Sequence, residues 1–577
     1  MLPKKYNVQR LEEEAVSPEE TLLDTESRHS AVELPISRNV VRALYGIVGL
    51  VMLGFLVQAF QLQIVEGKTF ALLADQSRFN RYPVPSLRGV IYDRNGKPIV
   101  ENEPVFDLVA VRSELNDEEL LEGHQHEGVF VVKKNIPKEE AIRLQVAEQP
   151  GLYVATYARR SYVYGKAFGH VAGYTSQVTP DDILENDSFH LQERTGRIGL
   201  EAFYDSIIRG EGYEIFLNPE TIRTQSPISG QSIFTTLDID VQLNLFASVD
   251  AVFRSAGVRR GAAIVQNVKT GEVLGIVSMP TFDPNDITGE VLQNQDHPLF
   301  NRVISGLYSP GSTIKPLYAL VGLTEGVVNP STTIFADGAI EVQSEVDSSQ
   351  YFTFRDWKVH GWTDIYKAIA DSVDVYFYAL GGGYGEIRGV GIDVIEKYLR
   401  SAHADQKTGI DLPFETKGFV PSKKWKRETK NDSWYIGDTY NVSIGQGDLL
   451  VTPLWLNTYI GAIANGGKLM KPYIVQSEPE VVGTLPFDEK TMAIVRKGMR
   501  QTITDGTGQL LKDLPKPVAA KTGTAQVTGR GLNSLFVVYG PTDDPEIVMT
   551  ILVENIPQSQ SLAMQVARQF LMWYFTR

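Results

Sequence analysis

The chain has 577 residues, 43% of them hydrophobic and 22% charged, an ordinary globular composition with length for roughly two to four domains. A net charge of −15 and a pI near 5.2, with no dominant basic tract, exclude a nucleic-acid partner. There is no cysteine, which removes disulfides, thiolate metal sites and a cysteine nucleophile.

The N-terminal part, residues 1–41, reads as a disordered tail. Between Leu11 and Leu34 stand eight acidic residues and one base, Arg28, too little apolar surface to offset the cost of ordering. A run of 23 uncharged residues follows, Ala43 to Val65. At about 1.5 Å per residue, roughly 20 residues cross a bilayer core of about 30 Å, so residues 42–65 are expected to form a single transmembrane helix. The run starts too late, and is too long, for a cleaved signal peptide. Flanking charge is nearly balanced, Arg28, Arg38 and Arg42 before the span against Lys68, Arg78 and Arg81 after it. Arg42 tilts the count toward a cytoplasmic N-terminus and an extracytoplasmic body.

Residues 66–228 read as mixed strands and loops. Within Arg88–Val100, apolar residues flank Asn95-Gly96, the signature of a hairpin whose tight turn takes positive φ angles. Phe106 to Val111 continues as a strand. Gly165–Tyr174 and Gly199–Asp205 carry no evident chemistry, and His170 has no ligand-type neighbours at ligand spacing, so it is read as structural. A Pro/Ser/Gly stretch at 226–231 marks a boundary, with residues 229–577 as the second domain. There a helix follows Asp238 and runs through Val252. The segments 261–268 and 272–278 form a hairpin around Lys269-Thr270-Gly271. Further strands at 535–539 and 547–553 enclose a helical middle, so the fold class is α+β with helices packed on an antiparallel sheet.

Three tripeptide-scale motifs carry the chemistry: Ser312-Thr-Ile-Lys315, Ser372-Val-Asp374 and Lys521-Thr522-Gly523. Lys315 and Ser372 are 57 residues apart, Asp374 and Lys521 147. Each motif alone is common, as the second Lys-Thr-Gly at 269–271 demonstrates; their order and spacing together are not. Ser312 is expected to open a helix, because Pro316 is tolerated only in a first turn. Lys315 projects from the same face and, held neutral by burial, would take the serine proton. Ser372, just before another helix, is placed to relay a proton. Lys521–Ala525 reads as a strand. There Lys521 supplies positive field, Thr522 and Thr524 offer hydroxyls to a substrate carboxylate, and Gly523 lets a substrate backbone lie close. The N–H groups of Ser312 and Thr524 would bind an oxyanion.

Ser-x-x-Lys with a late Lys-Thr-Gly is the pattern of penicillin-binding proteins and serine β-lactamases. Tyr308–Pro316 and Ala520–Gln526 resemble the active-site motifs of class B penicillin-binding proteins. Arg88–Gly96 and Gly199-Leu200-Glu201 with Arg209-Gly210 resemble motifs of the family's pedestal (dimerisation) domain. Gly437-Asp438-Thr439, Ser443–Gly447 and Thr452-Pro453 resemble a further hallmark. Asp374, where the family usually has asparagine, is similar to the elongation-type (penicillin-binding protein 2) branch. The resemblance implies a D,D-transpeptidase that cross-links peptidoglycan stem peptides through an acyl-enzyme on Ser312 and is acylated by β-lactams. Ser312, Lys315, Ser372 and Lys521 are the implied catalytic residues, with Asp374, Thr522, Gly523 and Thr524 binding substrate. No cofactor is implied. Some relatives hold a metal through acids, a histidine and a cysteine; Asp337, Asp356 and His360 stand in part of that pattern, but without a cysteine no metal is expected. With no room for a glycosyltransferase domain, a separate polymerase partner is expected. Two alternatives stand beside this reading: a β-lactamase or β-lactam sensor, and a catalytically silent scaffold.

Overall fold

The computed structural model describes residues 38–65, 81–84, 86–111, 114–115, 129–147, 149–185, 189, 193–210, 213–218, 221–224, 228–344, 347–527, 531–556 and 561–577. The acidic run from Leu11 to Leu34 lies outside these residues. The chain divides into two compact units, 1–79 and 80–577.

In the first unit, helix Arg38–Phe60 starts earlier than the expected 42 and passes into a π-helical turn, Gln61–Val65. Its stretch Arg42–Phe60 spans 19 residues with a mean hydropathy of 2.1 and no buried residue. That is about 28 Å of helix, long and apolar enough to cross a membrane.

The second unit begins with a five-stranded sheet. Ile233–Phe234, Ile91–Tyr92, Pro98–Val111 and Val129–Ile136 lie in that order, and Leu152–Tyr162 also pairs with the long strand Pro98–Val111. The hairpin at Asn95-Gly96 forms, but not with a two-residue turn. A register shift pairs Tyr92 with Pro98, leaving the loop 93–97, and of the Asn-Gly pair only Gly96 has positive φ, 79°. Asp93 organises this loop, its carboxylate accepting the N–H groups of Asn95 and Lys97 at 2.8 Å each.

The two pedestal motifs meet in a buried ion cluster. Glu201 is fully buried between Arg88 (Nη2, 2.7 Å) and Arg160 (Nε, 2.6 Å), and Arg88 also reaches Asp205 at 2.8 Å. Burial alone would push the Glu201 carboxyl up, but the two guanidinium groups outweigh it and hold it below its usual value. Asn102 finishes the cluster, donating to the Arg88 carbonyl at 2.7 Å and accepting from Arg160 at 3.2 Å. His170 is buried against Phe282, edge to face at 5.2 Å, and burial holds its pKa down at about 3, in keeping with a structural role.

Polar contacts then join this region to the rest of the unit. Tyr204 donates to Asp411 at 2.9 Å, and Asp411 accepts the N–H groups of Ile474 and Val475. Asn285 brackets the Tyr162 backbone from both sides.

The later residues build a five-stranded, wholly antiparallel sheet ordered Val273–Met279, Gly261–Asn267, Ile547–Ile556, Gly531–Gly540, Ala519–Val527. Both faces are covered, which is why these strands read as nearly unbroken apolar runs. One face carries Ala263, Val265, Phe536 and Ile551 against helices Ile239–Ala256 and Leu562–Tyr574. The other carries Ile264, Leu535, Val537 and Leu552 against the entirely buried helix Pro453–Ala464. Ala519–Val527 forms one edge of this sheet, and the catalytic motifs gather there.

Candidate active site

Ser312 lies in a 3-10 turn, Gly311–Ile314, that runs straight into helix Lys315–Thr324 with Pro316 in its first turn. The turn is clamped on several sides. Gly311 has φ +53°, and a Cβ there would lie 2.6 Å from the Thr524 carbonyl oxygen. Its N–H donates to Gly445 O at 2.9 Å, and a Cβ on Gly445 would strike that Gly311 oxygen at 2.1 Å. The buried Tyr459 hydroxyl donates to the Thr313 carbonyl. Upstream, Tyr308 donates to Glu554 at 2.8 Å, where Arg302 also donates at 3.0 Å. The Ser443–Gly447 block thus acts as a backstop for the Ser312 turn, and Glu554 as an anchor for its approach.

Lys315 is fully buried. Its Nζ donates to the Ser372 carbonyl at 2.8 Å, the Ser372 hydroxyl at 3.4 Å and Asp374 Oδ1 at 2.5 Å. The Ser312 hydroxyl takes none of these contacts. Lys315, expected to be buried and to act as the amine base, thus has a carboxylate partner in Asp374 that the expectation did not include. Asp374, grouped by sequence with substrate-binding residues, directs its carboxylate to Lys315 from the first turn of helix Asp374–Gly382, where the helix dipole favours negative charge. Ser372 has φ +58°, a backbone strain of about 1–2 kcal/mol for an L-residue. That conformation aims both its carbonyl and its hydroxyl at Lys315.

Asp356 supports the same place from behind. Its Oδ2 accepts the Val375 N–H at 2.9 Å and its Oδ1 the Trp357 N–H at 2.8 Å, while His360 Nε2 lies 3.4 Å from Oδ1. Burial, then the Asp374 charge, push the Asp356 carboxyl up; burial pushes His360 down. Asp337 is exposed. Among the described residues no group of three or more His, Cys, Asp or Glu is arranged to hold a metal ion.

On the edge strand, Lys521 is also fully buried and donates to the Thr522 carbonyl at 2.8 Å. Burial first, then the Lys315 charge, hold it well below an ordinary lysine, which weakens the positive field expected of it. Thr522 and Thr524 share a face, both partly exposed. The Thr522 hydroxyl lies 2.7 Å from that of Thr507, and Gln446 donates to the Thr524 carbonyl at 3.3 Å. Gly523, expected to let a substrate backbone lie close, makes its room inside the protein. A Cβ there would meet Thr313 Cγ2 at 2.7 Å and Pro310 O at 3.2 Å, so the space it leaves is filled by the nucleophile turn rather than by substrate. Gln446, Thr507 and Glu554 escaped the sequence reading, and Asp356 entered it only as part of a metal-binding pattern. Only Gln446 stood inside a quoted motif, and without a role.

Known proteins match this arrangement across most of the chain. The family model described as the penicillin binding protein transpeptidase domain matches residues 261–572. The penicillin-binding protein dimerisation domain matches 83–125 and 122–216. The peptidoglycan D,D-transpeptidase MrdA of Acinetobacter baumannii is 32% identical over 604 aligned positions, covering 92% of this chain and 87% of that protein. Among solved structures, penicillin-binding protein PBP2 of Helicobacter pylori, in a complex with MreC, superposes with a TM-score of 0.73 at 27% identity, covering 86% of this chain and 98% of that one. A structure described as a peptidoglycan synthase complex coordinating polymerization and crosslinking gives 0.71 at 27% identity, over 94% and 98%.

Proposed function

The chain belongs to the penicillin-binding protein transpeptidase family, and from that premise we propose that Ser312 is the acylating nucleophile and that Lys315, Asp374, Ser372 and Lys521 manage its proton. The protein is a D,D-transpeptidase that cross-links peptidoglycan during cell-wall elongation. The observation that carries the residue assignment is Lys315 Nζ, one helical turn from Ser312 and bound at once by Ser372 and Asp374, with its charge felt at the buried Lys521.

A proton shift from Lys315 to Asp374 within the 2.5 Å pair leaves a free amine. In a buried site a neutral pair is not penalised as two charges are. The amine takes the Ser312 proton as Oγ attacks the penultimate D-alanine carbonyl. The N–H groups of Ser312 and Thr524 face the oxyanion, an assignment supported by the seating of the turn on the strand at Thr524. Through the Ser372 hydroxyl the proton passes to the leaving D-alanine nitrogen, and a Ser312 ester remains. An amine of a neighbouring stem attacks the ester, forms the cross-link and returns the proton to Ser312. Lys521, whose amine burial makes easier to deprotonate, stands beside this relay, and the Thr522 and Thr524 hydroxyls meet the substrate carboxylate.

The helix Arg38–Phe60 anchors the chain in the cell membrane, with residues 1–41 cytoplasmic and the pedestal (66–228) and transpeptidase (229–577) regions outside. A separate glycosyltransferase supplies the glycan, as the synthase complex among the structural relatives suggests by analogy.

Covalent labelling with a fluorescent penicillin tests the core of this reading. Ser312→Ala should abolish labelling with the fold intact; a labelled Ser312→Ala protein would move the nucleophile elsewhere. Protease added outside spheroplasts should digest the body and spare a short N-terminal piece, and the reverse pattern would invert the topology.

A further inference from the structure

A short two-stranded ribbon beside helix Asp374–Gly382 does nothing in the steps above. Ile334–Ala336 pairs with Gly361–Thr363, placing Phe335 directly opposite Trp362. The two rings meet edge to face at 5.4 Å, yet Phe335 remains 52% and Trp362 68% exposed. Trp357, 56% exposed, lies close by in sequence with the Lys358 ammonium 4.4 Å above its ring. Exposed apolar rings that touch one another mark interaction sites more often than singly scattered ones do.

These rings are not on a loose loop. Ala336 and Thr363 beside them are fully buried, and the His360 N–H donates to Ala336 O at 2.9 Å. Lys367 Nζ ties the carbonyls of His360 and Trp362 together, at 2.6 and 3.2 Å. Asp356, next to Trp357, caps the Val375 N–H in the helix that carries Asp374, and Tyr378 of that helix donates to Arg355 O. The segment that carries Trp357 is therefore fixed to the helix that carries Asp374.

We propose that Phe335, Trp357 and Trp362 form a carbohydrate-stacking platform that holds the glycan portion of the wall polymer while its stem peptide occupies the site. The proposal rests on the transpeptidase reading and names where the sugar half of that substrate goes. A pyranose ring has a C–H face that packs on an aromatic ring and a hydroxyl edge that meets polar neighbours, and here exposed Arg355, Lys358 and Asp337 border the rings. The polymer's stem carboxylates are repelled by a chain of net charge −15, and Arg355 and Lys358 offset that repulsion locally. A stem peptide bound at Ser312 must also leave its parent strand lying across one rim, and Phe335, Trp357 and Trp362 offer exposed ring surface to it.

The test compares two acyl donors on the full-length protein, a free synthetic stem peptide and uncross-linked glycan strands bearing the same stem. For Trp362→Ala and Phe335→Ala, KM for glycan strands should rise about tenfold, the scale of losing one interface anchor. Turnover of the free peptide and the rate of penicillin acylation should stay at the parent values, and Trp362→Tyr should recover most of the loss. Equal loss on both donors would overturn the platform in favour of damage to the site. An unchanged KM for glycan strands would overturn it in favour of a protein partner at this surface. Failure of the parent protein to use either donor would instead count against the transpeptidase reading itself.

Discussion

The Thr313 methyl group lies where a side chain at residue 523 would go, 2.7 Å from the position of a Cβ on Gly523. The nucleophile turn and the edge strand are thus fitted to each other through one missing methyl group. Gly523→Ala should push the turn outward and lower the second-order rate of penicillin acylation at least about tenfold, with an overpacking cost of about 1–3 kcal/mol. Thr313→Ser removes the clashing methyl but keeps the hydroxyl that donates to Pro310 O. The double variant should therefore regain most of the rate. If it acylates no faster than Gly523→Ala alone, the fit is not the reason for the glycine.

Asp374→Ala leaves the buried Lys315 ammonium without its carboxylate. Breaking a buried pair from one side costs about 3–5 kcal/mol, so denaturant unfolding should reveal a loss of that size. Asp374→Asn should lose less, since its side-chain oxygen still accepts from Nζ. In both the parent and Asp374→Asn, the penicilloyl ester on Ser312 should persist for hours after free drug is removed. Release within seconds in the parent, slowed in Asp374→Asn, would assign Asp374 to hydrolysis and favour a β-lactamase.

Lys521 should show a stability cost carried for function. Its depressed pKa means the unfolded chain binds more protons than the native state between the native value and the ordinary lysine range, so stability rises with pH across that window. Lys521→Met should raise Tm at neutral pH, flatten that slope and lose acylation. A variant less stable than the parent would argue that Lys521 is held charged and satisfied.

The Glu201 cluster titrates with the opposite sign. Its lowered carboxyl pKa contributes stability that is fully present above the ordinary carboxylate range and is lost as pH falls through the native value. Glu201→Gln should cost about 3–5 kcal/mol at neutral pH, by stranding Arg160 and leaving Arg88 only Asp205, and show a shallower acid limb. An acid limb as steep as the parent's would assign acid sensitivity to other groups.

Tyr308 and Glu554 should act as one unit. Tyr308→Phe and Glu554→Gln are each expected to slow acylation several-fold without changing the reversible affinity for penicillin, and the double variant should be little worse than either single one. Additive losses would separate the two.

The sequence was legible where one local rule decides the structure. Pro316 in a first turn located the nucleophile helix, an uncharged run located the apolar helix, and apolar strands located the central sheet. It was less legible where the decisive contact comes from far along the chain. Gly523 is answered by Thr313, Gly311 by Gly445, and Lys315 by a carboxylate 59 residues away, none of which periodicity can indicate. Asp374 was noticed for departing from a pattern, but its role needed the positive φ at Ser372 that brings its neighbours onto Lys315. The Asn95-Gly96 turn misled because Asp93, two residues earlier, organises a longer loop.

The sheet's edge at Ala519–Val527 also bears on how the protein could be blocked. Apart from the Thr522 and Thr524 carbonyls, which Lys521 and Gln446 already hold, this edge has no neighbouring strand and can take an extended backbone, whatever that backbone's warhead. A compound that runs as an added strand past Thr524 toward Val527 would draw affinity from main-chain groups that no side-chain substitution removes. Such a ligand needs no reactive ring and leaves no ester to hydrolyse. Variants that resist acylation by shifting the Ser312 turn would keep most of their sensitivity to it.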